Sequence, residues 1–134
     1  MKQRKLKLVA LVGFALTMFG NSVLAGNDPS IKGDLRSNIH YSMNQYISQQ
    51  SVDGKLYVYD PVDGKLLKLQ LEALHDGIVK KGDFYVSCAD FKDQNGRKID
   101  IDFLVRKKDN MLITSQALVH SVAGNKRKYH LESI

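Results

Sequence analysis

One cysteine, two prolines and no tryptophan stand in a chain of 134 residues. The lone thiol, Cys88, excludes an intramolecular disulfide, so a packed core must carry the stability. A lone thiol in an oxidising compartment is usually buried or paired between chains. Cys88 is expected to be buried as a small hydrophobe. No Cys-x-x-Cys or His-Glu-x-x-His occurs, and His40, His75, His120 and His130 have no metal-ligand spacing. Equally absent are a Gly-x-Ser-x-Gly elbow, a glycine-rich phosphate loop and a dinucleotide fingerprint. Nothing assembles nucleophile, base and oxyanion hole. No catalytic residue, cofactor or metal is therefore assigned from the sequence. The longest apolar run, Leu8 to Phe19, is interrupted by Gly13. It falls short of the roughly 20 residues that span a bilayer.

That run belongs instead to an export signal. Lys2, Arg4, Lys5 and Lys7 precede it, and Ser22-Val23-Leu24-Ala25 follows, with small residues three and one before a cut after Ala25. Residues 1–25 are read as a signal peptide and residues 26–134 as one α+β domain. The expected location is the periplasm or the medium, with no transmembrane segment after cleavage. Four of the twenty basic residues and none of the fourteen acidic ones lie in the signal, so the net charge falls from +6 to +2. The basic character is largely that of the export tag, and no nucleic acid partner is expected. Two basic clusters survive, Arg106-Lys107-Lys108 and Lys126-Arg127-Lys128. Both are read as solvated turns and strand ends, with a contact surface for anionic groups as the alternative.

After the signal, Asp28-Pro29-Ser30 reads as a helix start, with Asp28 as cap and Pro29 in the first turn. Ile31, Leu35, Ile39, Met43 and Ile47 form one stripe, and the helix should end near Gln50. Strands are expected over 55–60, 65–75, 84–91, 98–106, 111–121 and 126–131, separated by turn signals such as Asp76-Gly77 and Gly124-Asn125. Pairing Asp60 with Lys65 sets Leu56, Val58, Leu67, Leu69, Leu71 and Ala73 on one face. One helix on a curved antiparallel meander of about six strands follows, because each has one apolar face to cover.

The hairpin at Asn95-Gly96 decides where the acidic side chains go. A two-residue loop puts Asp90 opposite Ile101 on the apolar face. A three-residue loop, Gln94-Asn95-Gly96, pairs Asp93 with Arg97 and Asp90 with Asp100. It gathers Tyr85, Ala89, Phe91, Ile99, Ile101, Phe103 and Val105 on one face, and Cys88, Asp90, Asp100 and Asp102 on the other. The hydrophobic pattern selects the three-residue loop, since the alternative buries a carboxylate among apolar neighbours. Clustered like charges then need partners. Neighbouring Lys and Arg, or solvent, are the plain choice. A cation or a basic partner is the sharper one, although three Asp on a flat sheet offer a calcium ion too few oxygens.

The stretch from Asp60 to Tyr129 resembles a set of small exported bacterial proteins. The resemblance is carried by Gly64-Lys65, His75-Asp76, Tyr85, Cys88-Ala89-Asp90-Phe91, Asp100-Ile101-Asp102-Phe103 and His120-Ser121-Val122-Ala123-Gly124. It implies a family without an assigned activity. The implied fold is similar to the cystatin-like and NTF2-like group, a helix across a curved antiparallel sheet. His120-x-Val122-x-Gly124 also approaches the Gln-x-Val-x-Gly hairpin of cystatin inhibitors. The glutamine is replaced, however, the hairpin is the last one, and the second-wedge tryptophan is missing.

Three functions are carried forward. The first is a non-enzymatic exported binding protein, using Asp90, Asp100, Asp102 and Cys88, with His75 and His120 nearby. Its expected partner is an envelope or extracellular protein, or a second copy in a homodimer. The second is a small-molecule pocket protein or enzyme of NTF2-like type, with His75 or His120 as acid or base. The third is cystatin-like protease inhibition through Val122 to Gly124.

Overall fold

The computed structural model describes residues 26–134; the export signal read over residues 1–25 lies outside the described residues. Helix α1 spans Gly33–Gln50 and buries Ile39, Ser42, Met43 and Ile47. It starts later than Asp28-Pro29-Ser30 suggests. Asp28 accepts the Ser30 N–H at 2.9 Å in an Asx turn. The Asp28 N–H donates to the Ile78 carbonyl at 2.7 Å, tying this segment to the sheet. Gly33, at φ +60°, then redirects the chain into the helix. Ile31 reaches the core from outside the helix.

Strands β1 (Ser51–Val52), β2 (Lys55–Asp60), β3 (Lys65–Lys81), β4 (Phe84–Lys92), β5 (Lys98–Lys108), β6 (Met111–Val122) and β7 (Asn125–Lys126) form one antiparallel sheet in chain order. The architecture is α+β, one helix on an open antiparallel sheet. The extra strand is β1, two residues paired with β2 after the helix ends. No described helix is long and apolar enough to cross a membrane.

The expected pairings hold at two hairpins. Asp60 pairs with Lys65, and Leu56, Val58, Leu67 and Leu69 are buried. Asp90 pairs with Asp100, Cys88 with Asp102 and Ala89 with Ile101. The loop is the three-residue one: Asp93 N–H donates to the Arg97 carbonyl at 3.0 Å, and Gly96 sits at φ +75°. Asp93 stays well below the usual carboxylate range. Burial pushes it up, but the Arg97 backbone and guanidinium and the Asn95 N–H outweigh that.

Three expectations are corrected. β3 does not turn at Asp76-Gly77, because Ile78 and Val79 continue the strand and Ile78 is fully buried; the turn falls at Gly82, φ +57°. Register shifts between Leu71 and Ala73, and between Leu74 and Ile78, bend β3 and turn Ala73 out to solvent. The last strand stops at Lys126. The chain then crosses the sheet as a single 3-10 turn, Leu131–Ser133, with Leu131 4% exposed.

The core lies between α1 and the inner face of β2 to β6. Phe103 is completely buried, with Tyr46 edge-on at 6.0 Å and Phe91 at 6.3 Å. Burying such a side chain contributes about 1.5–3 kcal/mol.

Candidate functional site

The outer face of the sheet carries a second, polar interior. β4 contributes Cys88 and Asp90, β5 contributes Asp100 and Asp102, β3 contributes His75, and β6 contributes His120. Alternation along β4 and β5 explains the first four. His120 arrives by another route. Asp100 pairs with Ser121 but Ile101 pairs with Val119, so His120 is the extra residue of a β-bulge. In an unbroken strand, an inward Val119 and an inward Val122 cannot coexist. The bulge permits both and lets His120 meet Asp102.

Asp102 is the hub. It is wholly buried, and its Oδ1 takes Cys88 Sγ at 2.9 Å and His120 Nδ1 at 2.7 Å. Its Oδ2 accepts the Leu131 backbone N–H at 3.0 Å. Burial would raise the Asp102 pKa, but the hydrogen bonds from His120 and Cys88, the His120 charge and the Leu131 N–H more than offset it, and the group is held low. Burial would likewise lower His120, yet the hydrogen bond to Asp102 and the charges of Asp102, Asp100 and Glu132 raise it. Each member of the pair favours the charged form of the other.

Asp100 is the poorly served member. It is 8% exposed, its Oδ2 lies 3.9 Å from His120 Nδ1, and its Oδ1 has no hydrogen-bond partner among the described residues. Burial pushes its pKa up to about 6, against the opposing pull of His120 and His75. Asp90 is the accessible one. It meets His75 Nε2 at 3.0 Å and Lys98 Nζ at 3.4 Å. The partners of the acidic cluster are thus mainly histidines, with one lysine, rather than the Lys and Arg expected.

The C-terminal segment roofs the cluster. His130 stacks on His120 with ring centroids 4.2 Å apart, and Glu132 Oε1 lies 3.7 Å from Cys88 Sγ. The His130 pKa is lowered by burial and by the His120 charge. His130, Glu132 and the Leu131 N–H escape sequence reading, because a strand over 126–131 hides a segment that folds across the sheet. Their only signal is composition: His and Glu close to an apolar Leu after the last hairpin.

The arrangement argues against thiol catalysis. Cys88 is buried as expected, but among polar groups rather than apolar ones. Burial and the Asp102 and Asp100 charges push its pKa far up, so the thiol stays protonated. The His120 imidazole, Nδ1 at 3.9 Å from the sulfur, is already committed to Asp102. A relay needs one imidazole nitrogen for each partner. Here His120 Nε2 has no partner among the described residues.

Two further expectations change. Arg127 is not a solvated turn residue: it pairs with buried Asp60 at 2.5 Å and with Asp63 at 3.1 Å. His120 and Val122 are 1% and 8% exposed, so their side chains do not stand out from the hairpin, whose Ala123 and Gly124 are exposed. No family model, curated protein or solved structure matches this chain, so its function has to be read from these side chains.

Proposed function

We propose that this chain is a non-enzymatic exported binding protein of the periplasm or medium, with the polar sheet face as its binding centre. One observation carries the reading. Four strands and the C-terminal segment converge a thiol, three imidazoles and several carboxylates into a sheltered volume, with Asp100 Oδ1 and His120 Nε2 left without partners among the described residues. Burying ionisable groups is costly and rarely serves packing alone. Asp100 and Asp102 are 8% and 0% exposed, so a macromolecular partner or second copy does not reach them directly. The ligand of this face is small. We further propose a cystatin-like or NTF2-like relationship, as the resemblance of the strand half implies.

Native mass spectrometry of the protein recovered from expressing cells tests this. Wild type is expected to retain a small adduct that the His75→Ala/Asp100→Asn double variant lacks. A folded wild type with no adduct, and with melting unmoved by metal and metabolite panels, ends the reading.

A cavity of about 390 Å³ supports the second reading, a small-molecule pocket between α1, β2 and β6. Tyr46, Tyr59, Val119, Arg127 and Tyr129 line it. The Arg127 Nε is buried without a partner among the described residues and offers a donor there. Ligand-induced melting shifts abolished by Tyr59→Ala, and indifferent to Asp100→Asn, would favour this pocket.

A further inference from the structure

We infer that Cys88, His120 and Asp102, with water completing the coordination, bind a late first-row divalent metal ion of the zinc class. The inference rests on the polar face being the binding centre and names its ligand.

Chemistry comes first. The donors are one thiol, one imidazole and one carboxylate, a mixture that suits zinc and its neighbours. Calcium and magnesium take oxygen ligands, several of them, and this face supplies too few.

Geometry agrees. Cys88 Sγ, Asp102 Oδ1 and His120 Nδ1 all lie within 4.8 Å of one another. Cys88 Sγ stands 3.9 Å from His120 Nδ1, and Asp100 Oδ2 lies 3.9 Å from the same nitrogen. Bond lengths of zinc to sulfur, nitrogen and oxygen place tetrahedral ligands about 3.3–3.6 Å apart. The 3.9 Å between Cys88 and His120 needs only a few tenths of an ångström of closure. The Asp102 contacts, 2.9 Å to Cys88 and 2.7 Å to His120, are hydrogen bonds through two protons. A metal ion replaces both protons, which leave to solvent, and Asp102 Oδ1 moves about half an ångström away from each partner toward that range.

A second, independent observation points to a ligand. His120 is 1% exposed with its Nδ1 on Asp102, and beside it Asp100, 8% exposed, has an Oδ1 without a partner among the described residues. A network built only for stability satisfies such groups. Outer contacts are already in place. Leu131 N–H holds Asp102 Oδ2, His75 has a nitrogen within 4.8 Å of Cys88 and Asp100, and His130 stacks on the His120 ring. Such contacts orient metal ligands. The route in is the C-terminal segment, a single 3-10 turn after β7.

Cobalt(II) reports a thiolate ligand directly. Added to metal-free protein purified from cells expressing the full chain, it should give a near-ultraviolet thiolate-to-cobalt band at one equivalent. Zinc should displace it and raise the melting temperature, while calcium and magnesium do neither. Cys88→Ser and His120→Asn keep a donor for Asp102, so their far-ultraviolet circular dichroism should stay native. Each should weaken zinc binding by more than about 100-fold, and Cys88→Ser should abolish the band. His40→Gln, on α1, should leave both unchanged. A folded wild type with neither band nor zinc-dependent melting overturns the inference, as does a band that survives Cys88→Ser. A non-metal adduct without any cobalt band removes the metal and leaves the binding centre standing. No adduct of any kind ends both.

Discussion

The two faces of the sheet are buried by different means and for different reasons. The inner face lies under α1, with Ile39 and Met43 against Phe91, Phe103 and Ile101, all fully buried. Every group there gains from leaving water. The outer face around Asp102 is as dry, with Cys88 and Asp102 fully buried and His120 1% exposed, yet its roof is one 3-10 turn. Each ionisable group there loses hydration and must recover it from a neighbour. Tolerance of change should therefore follow packing on one face and pairing on the other.

The largest effect is expected at the inner face. Phe103→Ala removes the ring that meets both Tyr46 and Phe91, and should cost about 3–5 kcal/mol by urea denaturation. Asp102→Ala comes next. It leaves His120, the Cys88 thiol and the Leu131 N–H without their shared acceptor, and should cost about 3 kcal/mol at pH 7. A near-neutral Asp102→Ala would mean that the polar face is plain surface, and would erase the contrast.

The third effect has the opposite sign and depends on pH. Asp100 has its folded pKa raised from 3.8 to about 6, chiefly by burial. Its contribution is fully present below about pH 3.8 and is lost as pH rises to about 6. Asp102, held low, works the other way: its contribution is present above about pH 4 and lost in stronger acid. His120, raised above 6.5, contributes fully below that pH and loses its contribution as pH rises past its folded value. The groups facing one another in this balance are His75 from β3, Cys88 and Asp90 from β4, Asp100 and Asp102 from β5, His120 from β6, and His130 and Glu132 from the C-terminal segment. In metal-free protein, Asp100→Asn should therefore be more stable than wild type at pH 7.5, by on the order of 2 kcal/mol, with the advantage gone at pH 4. Urea melts at the two pH values check this. A pH-independent difference would mean that Asp100 acts through packing.

The smallest effect lies in a turn between the faces. Ala123 holds φ +50° ahead of Gly124 at φ +81°, closing β6 onto β7. Ala123→Gly should relieve about 1 kcal/mol of left-handed strain and raise the melting temperature. No gain would mean that chain entropy cancels it.

Much of the inner face was legible in the chain. The stripe Ile39, Met43, Ile47 and the alternation through 99–105 carry the helical and strand periods directly, and only one register of the Asn95-Gly96 hairpin keeps the carboxylates off that face. The same register placed Cys88, Asp90, Asp100 and Asp102 together. The misses share one cause. At Ala73 a bulge reverses the alternation, at Asp76-Gly77 a strand bends where a turn was expected, and after Lys126 the chain leaves the sheet. None of these events changes local composition, so periodicity passes over them.

Residue order alone determined which side chains are apolar, where the helix and most strands run, and that the Asp90 and Asp100 side chains must share a face. It did so because side-chain direction in a strand depends only on parity, and burial of apolar surface selects the parity. Tertiary structure decided that this polar face would be dry. His120 reaches Asp102 through a bulge whose position depends on packing Val119 and Val122 together, and the roof of Leu131, His130 and Glu132 comes from a segment far away in sequence from Cys88. A carboxylate's environment is a sum over every strand and loop that closes on it, and only the folded chain brings those terms together.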